Sequence, residues 1–191
     1  MKTAILAVLL LSVAAYTERS VAQDAKNDTT QSTHGTGLSQ KGIDRIVKEV
    51  HHELVMLPFY GVFDNLAYKV TPDGTVTLLG EVSRPTLKSD AEKSVKNIEG
   101  VERVDNQIKV LPTSPMDDRI RRATYRSIYG NSVLSQYQLR AVPPIHIIVD
   151  HGNVTLEGVV ARQMDRQIAE VQAKSVPGVF SVTNNLRLDS E

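Results

Sequence analysis

The sequence predicts an α+β protein built from two tandem αββαβ modules, each a small mixed three-stranded sheet covered by two helices. Three observations predict it. Residues 74–110 recur at 152–188 with a constant offset of 78 and no gap, and 14 of the 37 aligned pairs are identical, where ordinary composition gives roughly two or three by chance. Within each copy, apolar residues alternate along short runs and then switch to helical spacing. Glycines stand between these runs, where the chain must reverse. Stacked repeats need about three units to share a core, so each copy has to bury its own.

The first repeat opens with Ile43, Ile46, Val47, Val50 and Leu54, the spacing of an amphipathic helix that Leu57-Pro58 ends. Leu66 to Thr71 reads as a strand, and Pro72-Asp73-Gly74 as a tight turn. Val76, Leu78, Gly80 and Val82 then alternate inward. Ser83 is the expected cap of a second helix whose buried face is Leu87, Ala91, Val95 and Ile98. Gly100 suits the position just past that helix, and Val104, Asn106, Ile108 and Val110 alternate along the last strand. The second repeat follows the same order, with Ile145 to Val149 as strand, His151-Gly152 as turn and Gly178 in the place of Gly100. Strand, helix, strand in succession demands a right-handed crossover and parallel pairing.

Gly80 and Gly158 fall on an inward strand face, where glycine weakens packing. The expectation is that a helix approaches the backbone there, a ligand contact being the alternative. Asn106 and Asn184 also point inward, and a buried amide needs partners. Each is expected to hydrogen-bond the backbone of a neighbouring turn.

The run x-V-T-L-x-G-x-V, a helix-like stretch, then G-V-x-x-V-x-N-x-[IL]-x-[VL], present in both copies, resembles the BON-domain family of bacterial envelope proteins, among them tandem, osmotically induced periplasmic proteins. The resemblance covers nearly all of the chain after residue 40. It implies an αββαβ module that often attaches to membranes, in non-enzymatic periplasmic or cell-surface proteins serving envelope maintenance or stress response. It makes Gly80, Gly158, Gly100, Gly178, Asn106 and Asn184 structural hallmarks.

Residues 1–22 read as a cleavable signal peptide: Lys2, an apolar run from Ala4 to Ala15, and Ser20-Val21-Ala22 before Gln23. The apolar run is too short for a bilayer core, which needs about 20 residues; an uncleaved interfacial anchor is the alternative. Residues 23–40 are polar enough to form a flexible leader. The modules are then expected at 41–112 and 117–191, joined by a linker at 113–116 where Pro112 and Pro115 disfavour helix. The expected location is the periplasm.

The chain has no cysteine, which excludes disulfides, a thiol nucleophile and cysteine zinc sites. Basic and acidic residues balance at 22 each, so bulk nucleic-acid binding is not indicated. No phosphate loop, nucleophile elbow or HExxH occurs. His51 and His52 are adjacent and diverge on a helix, while His34, His146 and His151 are scattered. The reading is a non-enzyme without metal or cofactor.

One cluster remains. The helix opening the second repeat carries Arg119, Arg121, Arg122 and Arg126. Arg119, Arg122 and Arg126 fall within about 60° of one another, flanked by Tyr125 and Tyr129, with Ile120, Thr124 and Ile128 opposite. Such a face suits an anionic phospholipid surface. The bland alternative is a solvated face held by an Asp118–Arg122 ion pair. The first repeat's matching helix, with Lys48, Glu49 and Glu53, is mixed in sign. A competing reading is an adaptor docking onto another envelope protein through a sheet edge or the Phe59-Tyr60-Phe63 segment, whose first expectation is closure over the sheet edge as core.

Overall fold

The computed structural model describes residues 38–189. The expected signal peptide, and the expected leader up to residue 37, lie outside the described residues. The last three leader positions belong to the fold: Leu38 N–H donates to the Pro72 carbonyl (2.7 Å), and Ser39 caps the first helix by accepting from Gly42 N–H (3.3 Å).

Module 1 runs α1 (Gln40–Val55), β1 (Asn65–Val70), β2 (Thr75–Val82), α2 (Pro85–Lys96), β3 (Arg103–Asn106) and β4 (Lys109–Val110). Module 2 repeats this as α3 (Pro115–Tyr129), a 3₁₀ turn (Ser135–Leu139), β5 (Ile145–Asp150), β6 (Asn153–Val160), α4 (Gln163–Lys174), β7 (Ser181–Asn184) and β8 (Arg187–Leu188). In each, the second strand pairs antiparallel with the first and parallel with the third, as the strand–helix–strand order demands. The third strand is broken in two, and both pieces pair with the second.

The break has one cause in both copies. The Asn106 amide oxygen accepts the Ile108 N–H (3.2 Å) while its NH₂ donates to the Lys88 carbonyl of α2 (2.9 Å). Asn184 does the same with Leu186 N–H (3.2 Å) and the Arg166 carbonyl of α4 (2.9 Å). The amide thus bonds the backbone of the break beside it and, in addition, a helix carbonyl. It takes the N–H that the ladder would use and turns Ile108 and Leu186, each 1% exposed, into the interior.

Gly80 and Gly158 have φ of 108° and 121°. A Cβ there would lie 2.1 Å from the Asn65 carbonyl oxygen and 1.9 Å from that of Pro144. The close neighbour is therefore the hairpin's partner strand, not a helix. Gly100 and Gly178 (φ 88° and 90°) sit not at the helix ends, which Asn97 and Ser175 cap in the right-handed conformation, but in the following turn, closed by Val101 N–H to the Ile98 carbonyl (3.1 Å) and Val179 N–H to that of Val176 (3.2 Å). Ser83 does not cap α2. Its N–H and hydroxyl donate to the Asp64 carboxylate (2.7 and 2.8 Å). Pro115 opens α3 rather than lying in a linker, because a first-turn residue needs no N–H.

The core of module 1 forms where Ile46, Val50 and Leu54 meet Leu87, Ala91 and Val95 over Val76, Leu78 and Val82. Ile43 is half-buried and Val47 lies outside it, 38% exposed. Module 2 packs Ile120, Ile128 and Tyr129 against Ala169 and Ala173 over Ile145, Ile147, Val154 and Leu156. The modules touch. Val62 and Phe63 of module 1 pack on the module 2 core, and the Val62 carbonyl accepts the Ile147 N–H of β5 (2.7 Å). Ile148, on the helix-free side of β5, is only 4% exposed because it shares a cleft with Glu81, Lys109 and Leu111. There Lys109 pairs with Asp150 at 2.6 Å.

Two outcomes follow. Gly158→Ala is expected to cost about 3 kcal/mol in urea unfolding, since both its φ and the Pro144 carbonyl oppose a side chain. Gly61→Ala, where the nearest atom is 4.0 Å away, is expected to cost far less. At the junction, burial and then the Glu157 carboxylate push the Glu81 carboxyl above its ordinary range. The folded state therefore holds that proton more tightly than the unfolded chain does, and ionised Glu81 opposes folding at neutral pH. Glu81→Gln is expected to have the higher urea midpoint at pH 7, with the gap closing as pH falls through the carboxylate range.

Candidate functional site

Helix α3 starts at a Ser114 cap, whose hydroxyl accepts the Asp117 N–H (3.2 Å), and Pro115 presets its first turn. The Asp117 carboxylate, 2% exposed, accepts from the His151 and Gly152 N–H groups (3.1 and 2.8 Å). The helix N-terminus is thereby fixed to the β5–β6 turn. Ile120, Thr124 and Ile128 are buried as their spacing predicts. Arg119, Arg122 and Arg126 are exposed.

Adjacent arginines on this helix have opposite fates. Arg121 is 5% exposed, and its guanidinium donates to the Val149 carbonyl (2.7 Å) and to Asp118 (2.6 Å). Asp118 is thus held by Arg121 and not by Arg122. Among the described residues, the guanidiniums of Arg119, Arg122 and Arg126 have no ion pair or hydrogen bond. The expected Asp118–Arg122 pair is absent, so that account of a neutralised helix face does not apply.

The two tyrosines separate as well. Tyr125 is half-buried. Its ring stands edge-on to Phe63 at 6.2 Å and tilts against Tyr129 at 4.8 Å, and its hydroxyl accepts from the Gln138 amide (3.1 Å). Tyr129 is 2% exposed. Its hydroxyl donates to the Ile145 carbonyl (2.7 Å) and accepts the Ile145 N–H (3.1 Å), and burial pushes its pKa up. The expectation that Tyr129 seats at a lipid interface is corrected: it is a core residue that anchors the start of β5. Helical phase sets it beside Arg122, and its burial comes from packing with Leu134, Tyr137 and Ile145.

Arg122 and Arg126 border a cleft of about 580 Å³ with Arg140, Gln138, Tyr125 and Phe63. Arg140 was not anticipated. It is the one basic residue of the stretch 132–144, and a loop carries no period that would announce its direction. The 3₁₀ turn at Ser135–Leu139 brings it there, pinned by buried Tyr137, whose hydroxyl donates to Asp165 (2.7 Å) and accepts the Ala161 N–H (2.9 Å). The wall from module 1 includes Gly61, Val62 and Phe63. The Phe59-Tyr60-Phe63 trio is therefore divided. Phe63 packs on module 2 and Tyr60 on its own core, with its ring 5.7 Å from His146. Phe59 is 72% exposed at φ 69°, with the Arg84 guanidinium 5.0 Å above its ring.

Module 1 has no such face. The cleft beside α1 is lined by Arg45, Lys48, Glu49, Glu53 and Glu99, with Arg45 paired to Glu49 and Glu99. Among the described residues, no group of three or more His, Asp or Glu is arranged to hold a metal ion, and no helix is long and apolar enough to cross a membrane.

The family model of the BON domain matches residues 56–112 and again 131–190. The chain belongs to the BON domain family. BON is a non-catalytic domain, and its proteins are commonly periplasmic or membrane-associated. No curated protein matches the sequence. Among solved structures, CdsD, a structural protein of the type III secretion system of Chlamydia trachomatis, is similar over 75% of this chain and 92% of that one, at 11% identity and a TM-score of 0.30. A second structure, of the CdsD C-terminal domain, is similar over 75% and 96% at 13% identity and a TM-score of 0.29. Likenesses of this size say nothing of partners. Both BON matches begin beyond α1 and α3, so Arg119, Arg122 and Arg126 lie outside the family-defining segments and Arg140 inside one.

The buried hydroxyl of Tyr129 gives a direct test of its role. Tyr129→Phe leaves the Ile145 N–H and carbonyl without their partner and is expected to cost about 1–3 kcal/mol in thermal or urea unfolding. Below the transition it should leave binding to anionic vesicles unchanged.

Proposed function

We propose that this tandem BON domain protein is an exported, non-enzymatic envelope protein that associates peripherally with anionic phospholipid surfaces through the exposed face of α3, in envelope maintenance or stress response. The observation that carries the reading is the unpaired state of Arg119, Arg122 and Arg126 beside an inward, paired Arg121. Other exposed cations of the described residues, such as Lys69 and Arg187, also lack an ion pair; these three differ in standing together on one helix face. Tyr125 flanks them with a half-buried ring and a polar tip, which suits the headgroup level. Each basic side chain near an anionic membrane contributes about 1 kcal/mol, so three give roughly 3 kcal/mol and binding that is weak and reversible.

A second reading keeps one specific observation in its favour. Phe59 and Leu139 are 72% and 89% exposed, and apolar anchors of that kind dock onto proteins. Salt separates the two: arginine-mediated attachment weakens as ionic strength rises, whereas apolar docking does not.

The test is co-sedimentation with vesicles of graded phosphatidylglycerol content, comparing the parent with a variant carrying Arg119→Ser, Arg122→Ser and Arg126→Ser. The parent is expected to bind in proportion to lipid charge and the variant to lose roughly 3 kcal/mol, on the order of a hundredfold. Equal binding by both would leave the arginines an ordinary solvated face.

A further inference from the structure

We propose that the cleft between the modules is a discrete binding site for the phosphate group of an organic phosphate, formed jointly by Arg122, Arg126 and Arg140 over an aromatic floor of Phe63 and Tyr125. The proposal rests on the reading of α3 as an anion-facing helix, and deepens it from a charged face to a pocket with a defined ligand chemistry.

Four observations converge. The cleft is roomy, about 580 Å³, and no carboxylate lines it. Three arginines line it from two separate elements, α3 and the segment after the 3₁₀ turn, and none is paired with an acid among the described residues. Like charges gathered without compensation repel one another, and an anion among them removes that repulsion. Tyr125 adds a directed donor: its hydroxyl already accepts from Gln138 Nε2 at 3.1 Å, so its own proton is left to give. Finally, module 1 supplies part of the wall, with Phe63 set edge-on to Tyr125 at 6.2 Å. The site is complete only when the modules are docked.

This donor set favours phosphate over carboxylate. A carboxylate offers two oxygens in one plane and is satisfied by a single guanidinium fork, whereas a phosphate presents three or more oxygens in different directions and accepts from several forks at once. The aromatic floor then meets the carbon skeleton that the phosphate carries. A lipid headgroup and a free phosphate ester share this chemistry.

Arg140→Gln is the informative variant. Arg140 is exposed, unpaired among the described residues and off α3, so its loss leaves both the fold and the helix stripe intact. Glycerol 3-phosphate is titrated into the full two-module chain while guanidinium Nε–H resonances are followed by NMR. In parallel, phosphatidylglycerol vesicles are tested by co-sedimentation. Saturable shifts at Arg122, Arg126 and Arg140, with affinity falling at least tenfold in Arg140→Gln, are the expected result. Vesicle binding that also weakens in this variant supports the cleft and identifies the headgroup as a source. Saturable glycerol 3-phosphate binding without any vesicle binding supports the cleft and overturns the membrane reading. Unsaturable shifts, or equal affinity in parent and Arg140→Gln, overturn the cleft. Vesicle binding by both proteins would in that case leave the membrane reading standing alone.

Discussion

The arrangement of the two modules depends on one buried carboxylate. Asp64 is 2% exposed, and an ion taken out of water needs several donors to be tolerated. It has them: Gly61 N–H (3.1 Å), Ser83 N–H (2.7 Å) and the Ser83 hydroxyl (2.8 Å). Those bonds tie the entry of β1 to the exit of β2 and fold Gly61–Asp64 into a turn, closed by Asp64 N–H to the Gly61 carbonyl (3.1 Å). The turn aims the Val62 carbonyl at β5 and Phe63 at the core of module 2. Without the carboxylate, the turn that carries the aromatic wall of the cleft loses three hydrogen bonds. The same carboxylate removes Ser83 from its expected capping role, which leaves Pro85 alone to start α2.

Duplication explains what the copies share, and divergence explains what the pair can do. Both modules keep the strand glycine that lets two backbones approach and the asparagine that breaks the third strand. These are constraints of backbone geometry, so each must be met twice. By strand register, where Leu66 and Ile145 each face the strand glycine, the counterpart of Asp64 is Pro143. Module 2 therefore lacks the carboxylate that closes this turn in module 1. Module 2 has its own buried acid instead. Asp165 stands where module 1 has Leu87 and binds Tyr137 (2.7 Å) and Arg162 (3.0 Å), which fixes the loop that delivers Arg140. Each copy spends a buried carboxylate on a loop, and the two loops meet at the cleft.

Local periodicity carried most of the fold. The alternation of Val76, Leu78 and Val82 and the helical spacing of Leu87, Ala91 and Val95 reappear as buried residues, because burial on one face is a local matter. The roles of Gly80 and Asn106 were visible only as places, since whether a strand or a helix lies opposite depends on topology rather than on the residue. The site was half legible. Helical phase marks Arg119, Arg122 and Arg126 as one exposed stripe. It cannot tell that Asp118 will choose Arg121 over Arg122, because a carboxylate reaches i+3 and i+4 alike. Tyr129 was misread for a related reason: it borders the stripe, and only the loop that closes over it decides which side it joins. Arg140 and Phe63 come from irregular segments that meet across modules, and non-local packing leaves no period to read.

The electrostatic balance of the chain sets the range over which this site can act. With 22 basic and 22 acidic residues, the protein has no net field to draw an anion from a distance, and screening confines what remains to about 8 Å at physiological ionic strength. A uniformly basic protein would accumulate on any anionic surface. On the reading proposed for the cleft, attraction acts only at contact range, so recognition depends on how the arginines converge rather than on how many there are. Convergence in turn requires Arg140, held by the Tyr137–Asp165 bond, and the wall from module 1, held by Asp64. On that reading, selectivity for an anion is linked to the docked state of the two modules, and the buried acids that hold the loops would act on binding without touching the ligand.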